Sequence, residues 1–182
     1  DGESRVRVRA PASAHAVLVR SLDAPDPKLV ETLLAADALR RAGARRVTLT
    51  APYLPYMRQD AVFAPGDAIS QRVVGDLLGR SFDRVVTVEA HLHRIRRLGE
   101  VFPCPARSLT AEPAIARWLR RTAPRALVAG PDEESAPWVR AIARDAGVHW
   151  LVAAKRRLGD ARVRVEVPPW PERRPASLAV IV

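Results

Sequence analysis

The stretch Val47 to Leu78, VTLTAPYLPYMRQDAVFAPGDAISQRVVGDLL, sets the fold class. It opens on a β-branched aliphatic run, passes through a proline-punctuated polar loop, and closes on a segment whose apolar residues Val73, Val74, Leu77 and Leu78 recur at helical spacing. Strand, loop and helix in that order are half of a βαβ unit, the building block of a parallel sheet. The loop carries Arg58, Gln59 and Asp60. Arg58 offers a planar fork of donors suited to phosphate, Gln59 both donates and accepts, and Asp60 can accept from an amino group or hold a hydrated metal. Taken alone, the same triplet also suits a solvated loop.

The pattern repeats outward from this stretch. VRVRA near Val6, AVLV at Ala16 to Val19, VVTV at Val85 to Val88, ALVAG at Ala126 to Gly130, WLVAA at Trp150 to Ala154 and LAVIV at Leu178 to Val182 read as further strands. Continuous aliphatic runs predict strands buried on both faces, as in a parallel sheet covered by helices. Between them, Asp26 before Pro27 predicts an N-cap, Leu29, Val30, Leu33 and Leu34 an apolar face, and Gly43 the stop of the first helix. Asp67 or Ser70 begins the second helix. Ile115, Trp118 and Leu119 mark a third, and Val139, Ile142 and Ala146 before Gly147 a fourth. The expected class is α/β and doubly wound, with mostly parallel sheets.

With 182 residues, 48% of them hydrophobic, the chain can build one large core or two small ones. No apolar run approaches the roughly 20 residues of a membrane helix, and no signal segment opens the chain, so the expected setting is the cytoplasm. Cys104 is the single cysteine, lies between two prolines and is given no role. A net charge of +10 raises nucleic acid as a partner, but the arginines are scattered and aromatics make up only 5% of the chain, against a basic stripe interleaved with stacking residues. Phosphorylated small molecules suit the charge equally well.

Four segments carry a resemblance: DGE at Asp1 to Glu3, the PYLPYMRQD loop with its AISQRVV helix, TVEAH at Thr87 to His91, and AGPDEES followed by AAKRR between Ala129 and Arg157. Together, and over essentially the whole chain, they resemble the ribose-phosphate diphosphokinases, which make phosphoribosyl pyrophosphate and AMP from ATP and ribose 5-phosphate. The resemblance implies two phosphoribosyltransferase-like lobes, here residues 1–104 and 105–182. It assigns Asp1, Gly2, Glu3, Arg58, Gln59 and Asp60 to ATP, with the Glu3 loop reaching the nucleotide of a neighbouring subunit in a dimer or hexamer. It assigns His91 and Asp132 to Mg2+, and Lys155 and Arg157, on a mobile loop, to the transition state of diphosphoryl transfer.

The residues themselves allow plainer readings. His91 and His93 share a face if extended backbone continues past Val88, Asp132 is a natural helix N-cap, and Lys155 with Arg157 suits a solvated turn. Lys28 and Lys155 are the only lysines, which marks Lys155 as a deliberate point charge. Two departures stand out: Glu89 occupies the place of the family's aspartate, and Glu133, Glu134 and Ser135 stand where small residues are usual. The family's strand before the DGE loop and its acidic Gly-Thr loop for the ribose phosphate have no counterpart in the sequence, so the chain reads as a fragment or remnant, inactive by itself. The alternatives are a non-catalytic regulatory relative and a phosphoribosyltransferase that consumes the activated sugar.

Overall fold

The computed structural model describes residues 2–9, 13–157, 163–169 and 179–181. It divides into two compact units, Asp1–Thr110 and Ala111–Val182. The sequence placed this division at Cys104.

The first unit is a four-stranded parallel sheet in the order β1 (His15–Val19), β2 (Arg46–Ala51), β3 (Arg84–Val88), β4 (Ala106–Leu109). Helix α1 (Pro25–Arg41) links β1 to β2, and α2 (Ser70–Ser81) links β2 to β3. Each step moves one strand along the sheet in the same direction, and right-handed crossovers of that kind put both helices on one face. Leu29 and Ala36 of α1 and Val74 and Leu78 of α2 accordingly share a single apolar cluster with Val47, Leu49 and Val85. The opposite side chains of the edge strand are in water, Val17 at 56% and Val19 at 65% exposure. The expectation of strands buried on both faces therefore fails for β1, whose aliphatic run has helix cover on one side only.

The second unit holds a parallel sheet in the order β6 (His149–Val152), β5 (Leu127–Gly130), β9 (Ala179–Ile181), with α3 (Glu112–Thr122) before β5 and α4 (Ala136–Ala146) between β5 and β6. Strands β7 (Ala154–Arg157) and β8 (Val163–Glu166) form a separate antiparallel ribbon. Val139, Ile142 and Ala146 of α4 are buried as their spacing predicts, and Gly147 ends the helix in the left-handed conformation at φ 71°.

Several local expectations are corrected. Over its described residues 6–9 the VRVRA segment is not a strand: its valines alternate with arginines, but no neighbouring strand among the described residues pairs with it. Asp26 is not the N-cap of α1. The cap is Ala24 at φ 49°, Pro25 opens the helix, and the Asp26 carboxylate accepts a hydrogen bond from the Tyr56 hydroxyl. Asp67 does not start α2 but folds back to accept from the Ala64 amide at 2.8 Å. On α2, Val73 and Leu77 face water, and the buried row is Gln71, Val74, Gly75, Leu78 and Gly79. Trp118 of α3 is likewise exposed.

The α2 glycines explain that rotation. A Cβ on Gly75 would lie 2.7 Å from the Val101 carbonyl oxygen, and one on Gly79 would lie 2.4 Å from Cδ of Pro103. The helix backbone thus rests directly on the 101–103 segment, which no larger residue permits. Gly79→Ala should destabilise the protein by about 1–3 kcal/mol in urea unfolding, although alanine is the better helix former by about 1 kcal/mol. A gain in stability would contradict this close approach.

Asp83, just before β3, accepts from the buried Val47 amide at 2.8 Å and from Arg40 at 2.9 Å. The amide first, and Arg40 second, hold its carboxyl below the usual carboxylate range. A depressed folded value means that the stabilisation is present above the unfolded pKa of about 3.9 and is lost as pH falls through the folded one. The stability difference between wild type and Asp83→Ala, expected to be about 1–2 kcal/mol at pH 7, should shrink on acidification below about pH 4. A pH-independent difference would contradict it.

Candidate active site

In a parallel sheet the carboxyl ends of the strands lie along one edge, where ligands of open α/β folds are bound. In the first unit, two of the segments that leave that edge carry the candidate residues: the loop after β2, with Arg58, Gln59 and Asp60, and the loop after β3, with His91 and His93.

The first of these loops is nailed down by its apolar residues. Leu54 and Met57 are buried in the core, and the buried Gln71 side chain donates to the Met57 carbonyl at 3.3 Å. Backbone bonds from Gln59 N to Tyr56 O, at 3.1 Å, and from Gln71 N to Gln59 O, at 3.1 Å, continue the tether. Tyr56 turns the chain at φ 63°, a conformation non-glycine residues adopt at a cost, and its hydroxyl ties the turn to α1 through Asp26. With Met57 inward, Arg58 and Gln59 face water. Arg58 has no carboxylate partner among the described residues. The Gln59 carbonyl accepts from the Ser70 hydroxyl at 2.6 Å, which orients the amide.

Asp60 behaves differently from its neighbours. Its side chain is 2% exposed and takes a 2.7 Å hydrogen bond from Arg94. The carboxylate that the sequence offered to an amino group or a hydrated metal is therefore committed to a cation of its own chain. Arg94 lies three residues beyond His91, so this pair draws the two segments together.

Past β3 the chain turns sharply at Glu89, φ 46°, where the Thr110 hydroxyl donates to the carboxylate at 2.8 Å. The Ala90 amide donates to the Ser108 hydroxyl at 2.9 Å. Both partners flank the end of β4, a strand the sequence reading did not find. His91 and His93 are exposed, with ring centroids 6.0 Å apart and planes 21° from parallel. They do share a face, as alternation suggested, though outside any strand. Gly2 and Glu3 lie in the irregular 2–9 stretch, Glu3 exposed, and Asp1 lies outside the described residues. Cys104 is a free thiol whose pKa burial pushes up, consistent with an inert role.

In the second unit, the turn from β5 into α4 carries Asp132. Its carboxylate accepts from the Ser135 amide at 3.3 Å, and the Ser135 hydroxyl donates to the Asp132 carbonyl at 2.5 Å. Asp132 therefore caps the 3-10 turn Glu133–Ser135 that leads into α4, not α4 itself, whose N-cap is Ser135, and Gly130 is required behind it, since a Cβ there would meet Ser135 Oγ at 2.1 Å. The other carboxylate oxygen lies 4.0 Å from Lys155 Nζ, the outer limit of an ion pair. Lys155 is half-exposed and sits within β7 opposite Val165, so it stands on a ribbon strand instead of the expected loop. Arg157 pairs with Val163 at the far end of that ladder, and its side chain lies outside the described residues. Glu133 and Glu134 are exposed. Among the described residues no three His, Cys, Asp or Glu side chains gather into a metal cage, and no helix is long and apolar enough to cross a membrane.

The family model describing the N-terminal domain of ribose phosphate pyrophosphokinase matches residues 1–81. The ribose-phosphate pyrophosphokinase of Methanopyrus kandleri is 33% identical over 168 residues, covering 91% of this chain and 57% of that protein. By sequence and fold, the chain is similar to the ribose-phosphate pyrophosphokinases. The Ralstonia nicotianae ribose-phosphate pyrophosphokinase is 33% identical over 162 residues, 86% of this chain and 50% of its own length. The crystal structure of the phosphoribosylpyrophosphate synthetase from Mycobacterium smegmatis superposes with a TM-score of 0.65 at 28% identity, covering 86% of this chain and 52% of that one. The chain thus spans about half the length of the ribose-phosphate pyrophosphokinases it matches.

Proposed function

We propose that the chain supplies the nucleotide loop and part of the transfer site of a ribose-phosphate pyrophosphokinase, which moves the diphosphoryl group of Mg-ATP to the 1-hydroxyl of ribose 5-phosphate and releases AMP. The observation that carries the reading is the anchored loop of the first unit, where Arg58 is exposed without an anionic partner among the described residues and Gln59 is held by Ser70, beside the segment bearing His91. An unpaired guanidinium on a tethered loop suits a polyphosphate, and the oriented amide suits a base or ribose edge.

Phosphoryl transfer asks a protein mainly for positioning and for cations around the migrating group. Arg58 and Gln59 hold the nucleotide in this reading, and Asp132, an oxygen donor, anchors Mg2+. That donor set fits the ion, which keeps several waters and is usually bound by one or two carboxylates together with substrate phosphates. When bound, Mg2+ neutralises the triphosphate and polarises the phosphoryl oxygens. In the first unit His91, a softer ligand, would meet a divalent ion through water. Lys155 exchanges its long 4.0 Å contact with Asp132 for the charge that develops on the transferred group, and Arg157 supports it. Gly2 and Glu3, with Asp1, serve the nucleotide of a second copy in a dimer or hexamer, and the setting is the cytoplasm.

The exposed Glu133 and Glu134 next to Asp132 favour a second reading, a nucleotide-binding relative without turnover, because carboxylates there repel a diphosphate. The test is AMP release from ATP that depends on added ribose 5-phosphate. The proposal expects it, with Lys155→Ala lowering turnover by roughly 10²–10⁴-fold while ATP affinity stays within about threefold. ATP binding without AMP release selects the second reading, and release of ADP instead of AMP contradicts both.

A further inference from the structure

Asp60 stands inside the polar triplet, yet it is the one member withheld from solvent. Its side chain is 2% exposed, Oδ1 accepts from Arg94 at 2.7 Å, and Oδ2 is buried with no hydrogen-bond partner among the described residues. A carboxylate in such a place is tolerable only with a cation against it. Arg94 supplies the charge, and its guanidinium carbon also lies 5.6 Å from the centroid of the Phe63 ring. Three side chains from two segments, the loop after β2 and the loop after β3, therefore close on one another across 34 residues of sequence.

We propose that Arg94 is a positioning residue, the pin of a clasp with Asp60 and Phe63 that fixes the Arg58–Gln59 loop against the His91 segment before any nucleotide arrives. The inference rests on the nucleotide reading of that loop. No helix or strand occupies residues 52–69, so its order depends on tethers. Exposed side chains that must meet a ligand in one geometry lose rotamer freedom on binding, and a clasp that orders the backbone one residue away reduces that loss. The pin has two contacts of different kind, one electrostatic to Asp60 and one to the ring face, and a planar guanidinium serves both where an ammonium serves them poorly. Arg94 itself touches no substrate in this account.

The test compares Arg94→Met, Asp60→Asn and the double variant with wild type. One arm measures Mg-ATP affinity by calorimetry, and the other the rate of thermolysin cleavage within residues 58–66 in ligand-free protein, with urea unfolding as the control for global stability. Each single variant should weaken ATP binding about tenfold and speed cleavage, and the double variant should be no worse than the poorer single one. Arg94→Lys should restore only part of the affinity. Additive losses would show Arg94 meeting the nucleotide directly and overturn the proposal, as would cleavage unchanged in Arg94→Met. If Arg94→Met fails to fold, Phe63→Leu removes the ring alone, and the same acceleration of cleavage is expected from it. Wild-type protein that binds no ATP defeats the nucleotide reading, and the cleavage arm still decides the clasp.

Discussion

A buried carboxylate has to find a cation, and the organisation of the first unit's ligand-facing edge follows from how Asp60 meets that demand. Nearly free of solvent, the Asp60 carboxylate would be costly alone. Arg94 meets it from the next loop along the sheet edge. The sheet makes that possible: β2 and β3 are parallel neighbours in register from Thr48 opposite Arg84 to Ala51 opposite Thr87, so the loops that leave them emerge side by side. With Met57 in the core below and the ion pair beside it, the loop is left with Arg58 and Gln59 outward. The division between apolar anchor, internal ion pair and outward polar pair occurs within four consecutive residues.

The second unit uses a different device for the same end. Asp132 satisfies the first turn before α4 with one carboxylate oxygen and leaves the other within 4.0 Å of Lys155. A contact that long at a half-exposed lysine adds little to stability, which leaves both groups free to exchange it for a better partner. Gly130 is the condition for this arrangement, since any side chain there would displace Ser135 from the cap. Asp132, like the polar loops of the first unit, thus follows the end of a parallel strand, which holds it at low cost, while Lys155 stands on the antiparallel ribbon.

Much of this was legible in the sequence. Buried runs such as VTLT and VVTV announce themselves through β-branched residues, and α4 through apolar spacing closed by Gly147. What escaped has physical causes. β4 reads ARSL, and its polar side chains are tolerated at the sheet edge, where only one neighbour pairs with it. The VRVRA run alternates well, but alternation specifies a strand only when another strand is there to pair. On α2 the apolar valine and leucine rows suggested an inward face centred differently from the real one, because two glycines, which carry no hydropathy signal, let the backbone itself make the contact. AKRR has no period at all, so a ribbon strand was read as a loop. Arg94 was visible only as one of many scattered arginines, since nothing local points to a partner 34 residues away. Arg58, Gln59, His91, Asp132 and Lys155 were found as chemical types in suitable places; that Asp60 serves the loop's structure required the fold.

If the nucleotide reading holds, the two loops leaving β2 and β3 form one ligand surface. Amide hydrogen exchange of the protein with and without Mg-ATP reads that surface directly. Slowed exchange at both Arg58–Asp60 and His91–Arg94, with ribose 5-phosphate alone leaving them unchanged, is the predicted result. Protection confined to one of the two loops, or absent from both while ATP is bound, would contradict it.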